Sequence, residues 1–335
     1  MKRRLATVAL LVVFGLVAGI SLGAAADKNV TLKFSSISVP GDAHTDAMQV
    51  FADEVKKASD GSITVDVFHS GSLVGSEGEM DAAISGEVDM VYVSPQLAAN
   101  YIPDFAMLTS GYFFKNYDHQ KAVFVDEGEV RDRLYKSITD EMGLVPITSV
   151  YIGARQINTT KKPINSRDDM KGLLLRMPNT PTWLYLGRAL GANPTPMSFN
   201  EIYTGLSTGA IDGQDNPMPT VQTAKFYEVA PNLAITNHLM ANNIMVVNKD
   251  TWDGLSPAQQ KAMLAAAKVA QEWCDKSNLD KEAKLIEFFK SQGVNVTYPD
   301  IDKFAKEVQD FYLNDPKEVA NWDMDLYNKI QALAK

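Results

Sequence analysis

Residues 204–217 read TGLSTGAIDGQDNP, and the order of elements around Ser207 decides between two folds. Gly205-Leu206-Ser207-Thr208-Gly209 matches the G-x-S-x-G elbow of serine hydrolases, which needs a strand before the serine and a helix after it. Here Phe199–Leu206 has helical patterning, and Ala210-Ile211 opens a strand. The order is reversed, so the pentapeptide is a chance match. Asp212-Gly213-Gln214-Asp215-Asn216 has the oxygen-rich look of a calcium loop, but the glutamate such a loop needs at its twelfth position is replaced by Thr223. Asn216-Pro217 also favours extended or turn backbone. Asp212 is therefore expected to fix a turn.

Outward from this stretch, strand and helix patterns alternate. Thr31–Phe34, Ile63–Phe68, Val88–Val93, Leu144–Tyr151 and Leu173–Met177 read as strands; 43–59, Ser76–Ser85 and Glu127–Glu141 read as helices. Ala47, Val50, Phe51 and Val55 share one face of the first helix. Such alternation predicts an α/β architecture with mostly parallel sheets. The order helix end, glycine, strand, seen at Ile84–Met90, recurs at Ser207–Gly213 and is a weak internal echo of two similar lobes around one cleft. Ser256-Pro257-Ala258-Gln259 combines a capping serine, a first-turn proline and a capping-box glutamine, and the helix it starts runs to about Gln292, before Gly293. At 1.5 Å per residue such a helix spans about 54 Å, enough to brace two lobes or to support a dimer contact.

Met1-Lys2-Arg3-Arg4, the apolar run Leu5–Leu22 and Gly23-Ala24-Ala25-Ala26 form a secretory signal peptide, 1–26, cut after Ala26. The run is somewhat long, which an uncleaved anchor would also explain; Gly15, Gly19 and the small-residue exit favour cleavage. Losing Lys2, Arg3 and Arg4 takes the formal charge from −9 to −12, which disfavours nucleic acid and anionic membrane surfaces as partners. The single cysteine, Cys274, rules out an intrachain disulfide. No metal-ligand spacing and no phosphate loop occurs, so neither a metal nor a cofactor is expected. The histidines, 44, 69, 119 and 238, are scattered.

The arginines carry more information. Beyond the leader they stand at 131, 133, 155, 167, 176 and 188. Arg176 interrupts the apolar run Leu173–Met177, and a charge at a buried strand end is costly unless paired. Its partner is either a distant internal carboxylate or an exogenous anion, for which a guanidinium fork is well shaped. Arg155, closing Val150–Ala154, is the second arginine in a strand-like setting.

Gly172-Leu173-Leu174-Leu175-Arg176-Met177-Pro178, Ala189-Leu190-Gly191-Ala192-Asn193-Pro194-Thr195-Pro196-Met197 and Asp212–Pro217 together resemble the solute-binding proteins of TRAP (tripartite ATP-independent periplasmic) transporters. Gly71–Gly75, Gly86–Met90 and Lys162-Pro163-Ile164 extend the resemblance over essentially the whole mature chain. It implies a two-lobed periplasmic binding-protein fold (class II-like), a long helix spanning both lobes, no catalysis, and capture of an organic acid anion for a membrane permease. The lobes are expected at 27–152 with about 241–280, and at 153–240 with about 281–335. By the resemblance, Arg176 pairs with the ligand carboxylate, Arg155 contacts the ligand, Asn216 donates to the same acid group and Phe199 lines the pocket. Asn179, Ser94, Ser38 and His44 take further lining positions, and Trp183 narrows the pocket or simply packs. Where the family usually has glutamate, this chain has Asp215. The ligand class stays open among C4-dicarboxylates, sugar acids, 2-oxo acids and sulfonates. The competing expectation is a secreted α/β hydrolase using Ser207, Asp215 and His238.

Overall fold

A computed structural model of the chain describes residues 28–76, 78–320 and 322–334; the expected leader, 1–26, lies outside the described residues. Two β-α-β-α-β units carry the architecture. The first is β1 (Val30–Ser35), a helix Ala43–Ala58, β2 (Ile63–Phe68), a short helix Glu79–Ile84 and β3 (Met90–Val93). After β4 (Leu144–Thr159), the second is β5 (Leu174–Met177), a helix Pro181–Ala189, β6 (Asn193–Pro196), a helix Ile202–Thr208 and β7 (Gly213–Pro217). Each unit places its first strand in the middle, with parallel pairing in the orders β2-β1-β3 and β6-β5-β7. Between them run β4 and β8 (Asn232–Asn248), antiparallel to each other, β8 against β3 and β4 against β7. With β9 (Asn295–Thr297) on β8, the whole forms one nine-stranded sheet.

The echo read from sequence has a structural counterpart. Gly86 and Gly209 end their helices at φ +79° and +76°, the left-handed region where a side chain is strained. Asp89 Oδ2 then accepts from the Lys33 amide of β1 (2.8 Å), and Asp212 Oδ2 accepts from the Leu174 amide of β5 (3.0 Å). Each aspartate ties the incoming strand to the central strand of its unit. Asp212 fixes a turn.

The helix Ala43–Ala58 buries Ala47, Met48, Phe51 and Val55 against Leu32 and Phe34 of β1. Fully burying a side chain such as Phe51 is worth about 1.5–3 kcal/mol. The long helix spans Pro257–Ser291, its Ser256 Oγ accepting from the Gln259 amide and Gln259 returning the bond, each at 3.1 Å. Its first half packs Met263, Ala266, Ala267, Ala270 and Cys274 on the core around Leu32 and Met90; Leu285 and Phe289 pack with Ile202 and Leu206 of the second unit and Leu233 of β8. The helix therefore braces both units.

Two expectations need correction. Parallel pairing holds within the units and between β8 and β9, whereas the longest ladder, β4 with β8, is antiparallel. The sequence reading has no strand at 232–248 and ends the preceding one at Tyr151. Asn237, His238, Asn242 and Asn243 interrupt the apolar pattern of β8, as Gly153, Arg155, Gln156 and Asn158 interrupt that of β4. These residues are polar because they serve the middle of the sheet. Gln156 Oε1, for instance, accepts from the Thr236 and Asn237 amides at 2.8 and 3.0 Å.

The two central strands are not regular where they cross between the units. The β4–β8 register shifts between Tyr151 and Gly153. Gly153 sits at φ +122°, and a Cβ there would lie 2.7 Å from Pro217 Cβ, so glycine is required. The long helix grips this break from one face. Asp275 Oδ1 accepts from the Tyr151 amide, Asn278 Nδ2 donates to the Tyr151 carbonyl, and Glu282 Oε1 accepts from the Ala154 amide, all at 2.7 Å. Side chains spaced along one helical face thus satisfy backbone groups that the bulge withdraws from the ladder.

Candidate ligand-binding site

The parallel strands of both units end in one cleft of about 560 Å³, within the range of small-molecule sites. Ser36 and Ser38 follow β1, Ser94 follows β3, Asn179 follows β5, Phe199 follows β6, and Asn216 lies within β7. β4 adds Ile152 and Arg155; β8 adds Ala241, Asn242 and Asn243. A crevice at the carboxyl ends of parallel strands is where open α/β sheets bind ligands.

Eight of the nine residues singled out from sequence line this cleft: Arg176, Arg155, Asn216, Phe199, Asn179, Ser94, Ser38 and Trp183. His44 is not among the lining residues. It is buried behind Ser38, with its Nε2 and the Ser38 hydroxyl 2.6 Å apart, so it supports that loop.

Arg176 is 4% exposed, and its Nε donates to the Met197 carbonyl at 2.8 Å. Among the described residues no carboxylate pairs with it, so the internal partner allowed by the sequence is not found. Burial, with Arg155 adding to it, pulls its pKa down to about 9, against the pull of Asp215 and Glu201. The group is still a cation at neutral pH.

Arg155 is arranged differently. Its Nε donates to Asp215 Oδ2 at 2.6 Å and its Nη2 to the Asp215 carbonyl at 2.5 Å. Burial alone would raise the Asp215 carboxyl, but Arg155 and His238 together hold it well below the usual carboxylate range. His238 Nε2 lies 3.1 Å from Asp215 Oδ2, and since an ionised carboxylate only accepts, that nitrogen carries the proton. Trp183 lies under the guanidinium of Arg155, 4.5 Å from ring centroid to Cζ, which makes it a cation–π platform. With Arg155 answered by Asp215, the cation left without a carboxylate partner in the cleft, among the described residues, is Arg176. Asn216 Nδ2 donates to Gln214 Oε1 at 2.6 Å; its second proton and its carbonyl remain for the cleft.

The hydrolase expectation fails on geometry. Asp215 and His238 are in contact but fully buried, whereas Ser207 is on the exposed last turn of its helix and donates to the Thr204 carbonyl at 3.0 Å. Among the described residues no group of three or more His, Cys, Asp or Glu side chains could hold a metal. Cys274 is buried, and burial raises its thiol well above the ordinary value, which leaves it inert.

Residues that the sequence did not single out also face the cleft, among them Glu79, Gln96 and Asn243. Glu79 falls in the glycine-rich run GSLVGSEGEM, where no periodicity marks a site. Burial, opposed by the Ser35 hydroxyl, raises its carboxyl to about 7. Because the folded pKa exceeds the ordinary 4.5, the folded state holds the proton more tightly. Glu79 therefore contributes stability below pH 4.5 that is lost as pH rises to about 7. Glu79→Gln is expected to remove that loss, so that the variant's urea midpoint at pH 8 lies above that of the parent. Equal midpoints at pH 5 and pH 8 in both proteins would contradict it.

A larger groove, about 860 Å³, lies beside the long helix. Its cations are already answered locally, Lys121 by Asp126, Arg131 by Asp132 and Lys276 by Asp280. Lys268 faces Glu272 at 4.0 Å, so among the described residues each lysine and arginine of the groove has a carboxylate, and the interstrand cleft is the candidate site.

Comparison with known proteins agrees with this geometry. The model of the bacterial extracellular solute-binding proteins, family 7, matches residues 34–317. The chain belongs to that family. It is a solute-binding protein of the TRAP type and not an enzyme. It is 34% identical over 300 residues to the sialic acid-binding periplasmic protein SiaP of Vibrio cholerae, covering 88% of this chain and 92% of that one. It is similar to a TRAP periplasmic solute-binding protein of Roseobacter denitrificans solved with 3-deoxy-D-manno-oct-2-ulosonic acid, at TM-score 0.86 and 38% identity over 91% of this chain and all of that one. The sugar acid binding protein of Advenella mimigardefordensis, solved with galactonate, matches at TM-score 0.84 and 27% identity over 92% and 98%.

Proposed function

We propose that the protein captures a small organic acid anion of the sugar-acid class in this cleft and hands it to a TRAP-type membrane permease. The observation that carries the reading is the Arg176 guanidinium, buried at the carboxyl end of β5 with no carboxylate of its own among the described residues. The relatives solved with sugar acids support the ligand class, and the periplasmic relatives support export through the leader, 1–26, into the periplasm.

In this reading Arg176 receives the acid group with Asn216 beside it, and Arg155 stands by, oriented by Asp215 and Trp183. Asn179, Ser94, Ser38 and the Phe199 ring complete the lining, with His44 behind Ser38. The lobes are 27–152 with about 241–280, and 153–240 with about 281–335; the register break at Tyr151–Gly153 supports a hinge at their boundary. A ligand touching both lobes favours the closed population by its differential affinity for it. No covalent step is involved.

A thermal-shift screen of the mature chain against sugar acids, C4-dicarboxylates, 2-oxo acids, sulfonates and neutral sugars tests the reading. A ligand at one hundred times its Kd adds about 2.7 kcal/mol, visible as a rise in Tm. Sugar acids should raise Tm and the matching neutral sugars should not. A neutral sugar that binds as well as its acid would sink the proposal.

A further inference from the structure

Glu79 is a carboxyl group lining a cleft built to attract anions. Among the described residues it has no cationic partner; Ser35 Oγ donates to its Oε1 at 3.0 Å, and Oε2 has no donor. Oε2 is open to the cleft, and the Ser35 bond alone could be kept by a glutamine.

The residues around it do not look like a second anion site. Gln96 is 4% exposed, lines the cleft, and its side-chain amide has no partner among the described residues. Asn243 and Asn100 add further amides, and Ser94 adds a hydroxyl. Each of these groups both donates and accepts, as a ligand hydroxyl does. The arginines are contributed by β4 and β5, on the second unit's side of the sheet, whereas Glu79, Gln96, Ser94 and Asn100 belong to the first unit. The cleft is thus asymmetric, cationic on one wall and hydroxyl-matching on the other, where two carboxyls stand, Glu79 and Asp81, the latter accepting from the Tyr101 hydroxyl at 3.4 Å.

We infer that Glu79 is a specificity-determining residue that accepts hydrogen bonds from the ligand's hydroxyls on the wall opposite Arg176, selecting polyhydroxy monocarboxylates and rejecting dicarboxylates. Hydroxyl donors to a carboxylate form charge-assisted bonds, roughly twice as strong as neutral ones. A second ligand carboxylate in the same place would face an unpaired like charge. This inference rests on reading the cleft as an organic-acid site, and deepens it by fixing what the far end of the ligand must be.

The test is isothermal titration at pH 8, above the raised value of about 7 so that Glu79 is ionised, of the mature chain and of Glu79→Gln with D-galactonate, D-gluconate, D-glucuronate, 3-deoxy-D-manno-oct-2-ulosonate, succinate and L-glutamate. Glutamine preserves shape and the Ser35 acceptor, and the apo Tm of both proteins is recorded to confirm folding. The parent should bind at least one of the four sugar acids and prefer it to succinate by tenfold or more. Glu79→Gln should weaken that sugar acid at least tenfold and narrow or reverse the margin over succinate. If the parent binds none of the six acids, the reading of the cleft itself fails. If it binds a sugar acid and Glu79→Gln binds it within threefold of the parent, the cleft reading stands and the role of Glu79 is overturned. Tighter binding of zwitterionic L-glutamate than of any sugar acid overturns it too, since the carboxyl would then be answering an ammonium group.

Discussion

Arg176→Ala is expected to weaken sugar-acid binding at least tenfold by calorimetry while leaving the fold intact. The effect follows from where the charge sits. A charge-assisted hydrogen bond is worth about 1.5–3 kcal/mol net, and a factor of ten corresponds to about 1.4 kcal/mol. Arg176 is the buried guanidinium of the cleft that no carboxylate answers among the described residues; its Nε is spent on the Met197 carbonyl, and its two terminal nitrogens are left for the ligand. Arg176→Lys should recover only part of the loss, because an ammonium cannot present the planar fork to both oxygens of a carboxylate. The apo variant should be no less stable than the parent, since burial already pulls the guanidinium pKa down to about 9. Unchanged affinity in Arg176→Ala would remove the cation from the site and with it the proposed function.

Asp215→Ala should destabilise the protein by about 3–5 kcal/mol, the usual cost of removing one partner from a buried ion pair. Asp215 is fully buried, answers Arg155 through both carboxylate oxygens, and accepts from His238. Without it, a guanidinium that is 5% exposed loses its counter-charge and a buried imidazole loses its acceptor. The double variant Arg155→Met/Asp215→Leu should recover much of the loss, since replacing a whole buried pair by apolar groups is often neutral. The pH sign is set as well. Because Asp215 is held below the ordinary 3.8, its contribution is present above that value and disappears as pH falls through the lower folded pKa. Urea titrations at neutral pH check the prediction, and a midpoint for Asp215→Ala equal to the parent's would overturn it.

Local signals were readable wherever the chain obeys a period or a cap. The first helix, the strand Ile63–Phe68 and the long helix with its capping box all lie within a residue or so of their sequence-derived bounds. The repeated glycine-to-aspartate turn was readable too, because left-handed glycine and strand-capping aspartate are local chemistry. The same kind of signal placed Arg176, as a charge inside an apolar run. By contrast, β8 and the far half of β4 were illegible, since their polar residues pair with partners distant in sequence, as Gln156 does with Thr236 and Asn237. His44, given a lining position by the resemblance, stands behind Ser38, its Nε2 2.6 Å from that hydroxyl, a placement that no local signal in the sequence marks.

By itself, then, the sequence determined most of the element types and the absence of an intrachain disulfide, and it pointed to a leader and to an arginine in need of an anion, because each of these depends on neighbours in the chain or on composition. Only the tertiary structure decided which charges remain unspent. Arg155 and Arg176 look alike in sequence, each closing a strand-like run. Folding brings Asp215 against Arg155, Trp183 beneath it, and Glu79 to the other wall of the same cleft. Electrostatic pairing acts through space over a few ångströms, so the sequence shows which residues carry charge and the fold selects the one that is free to bind.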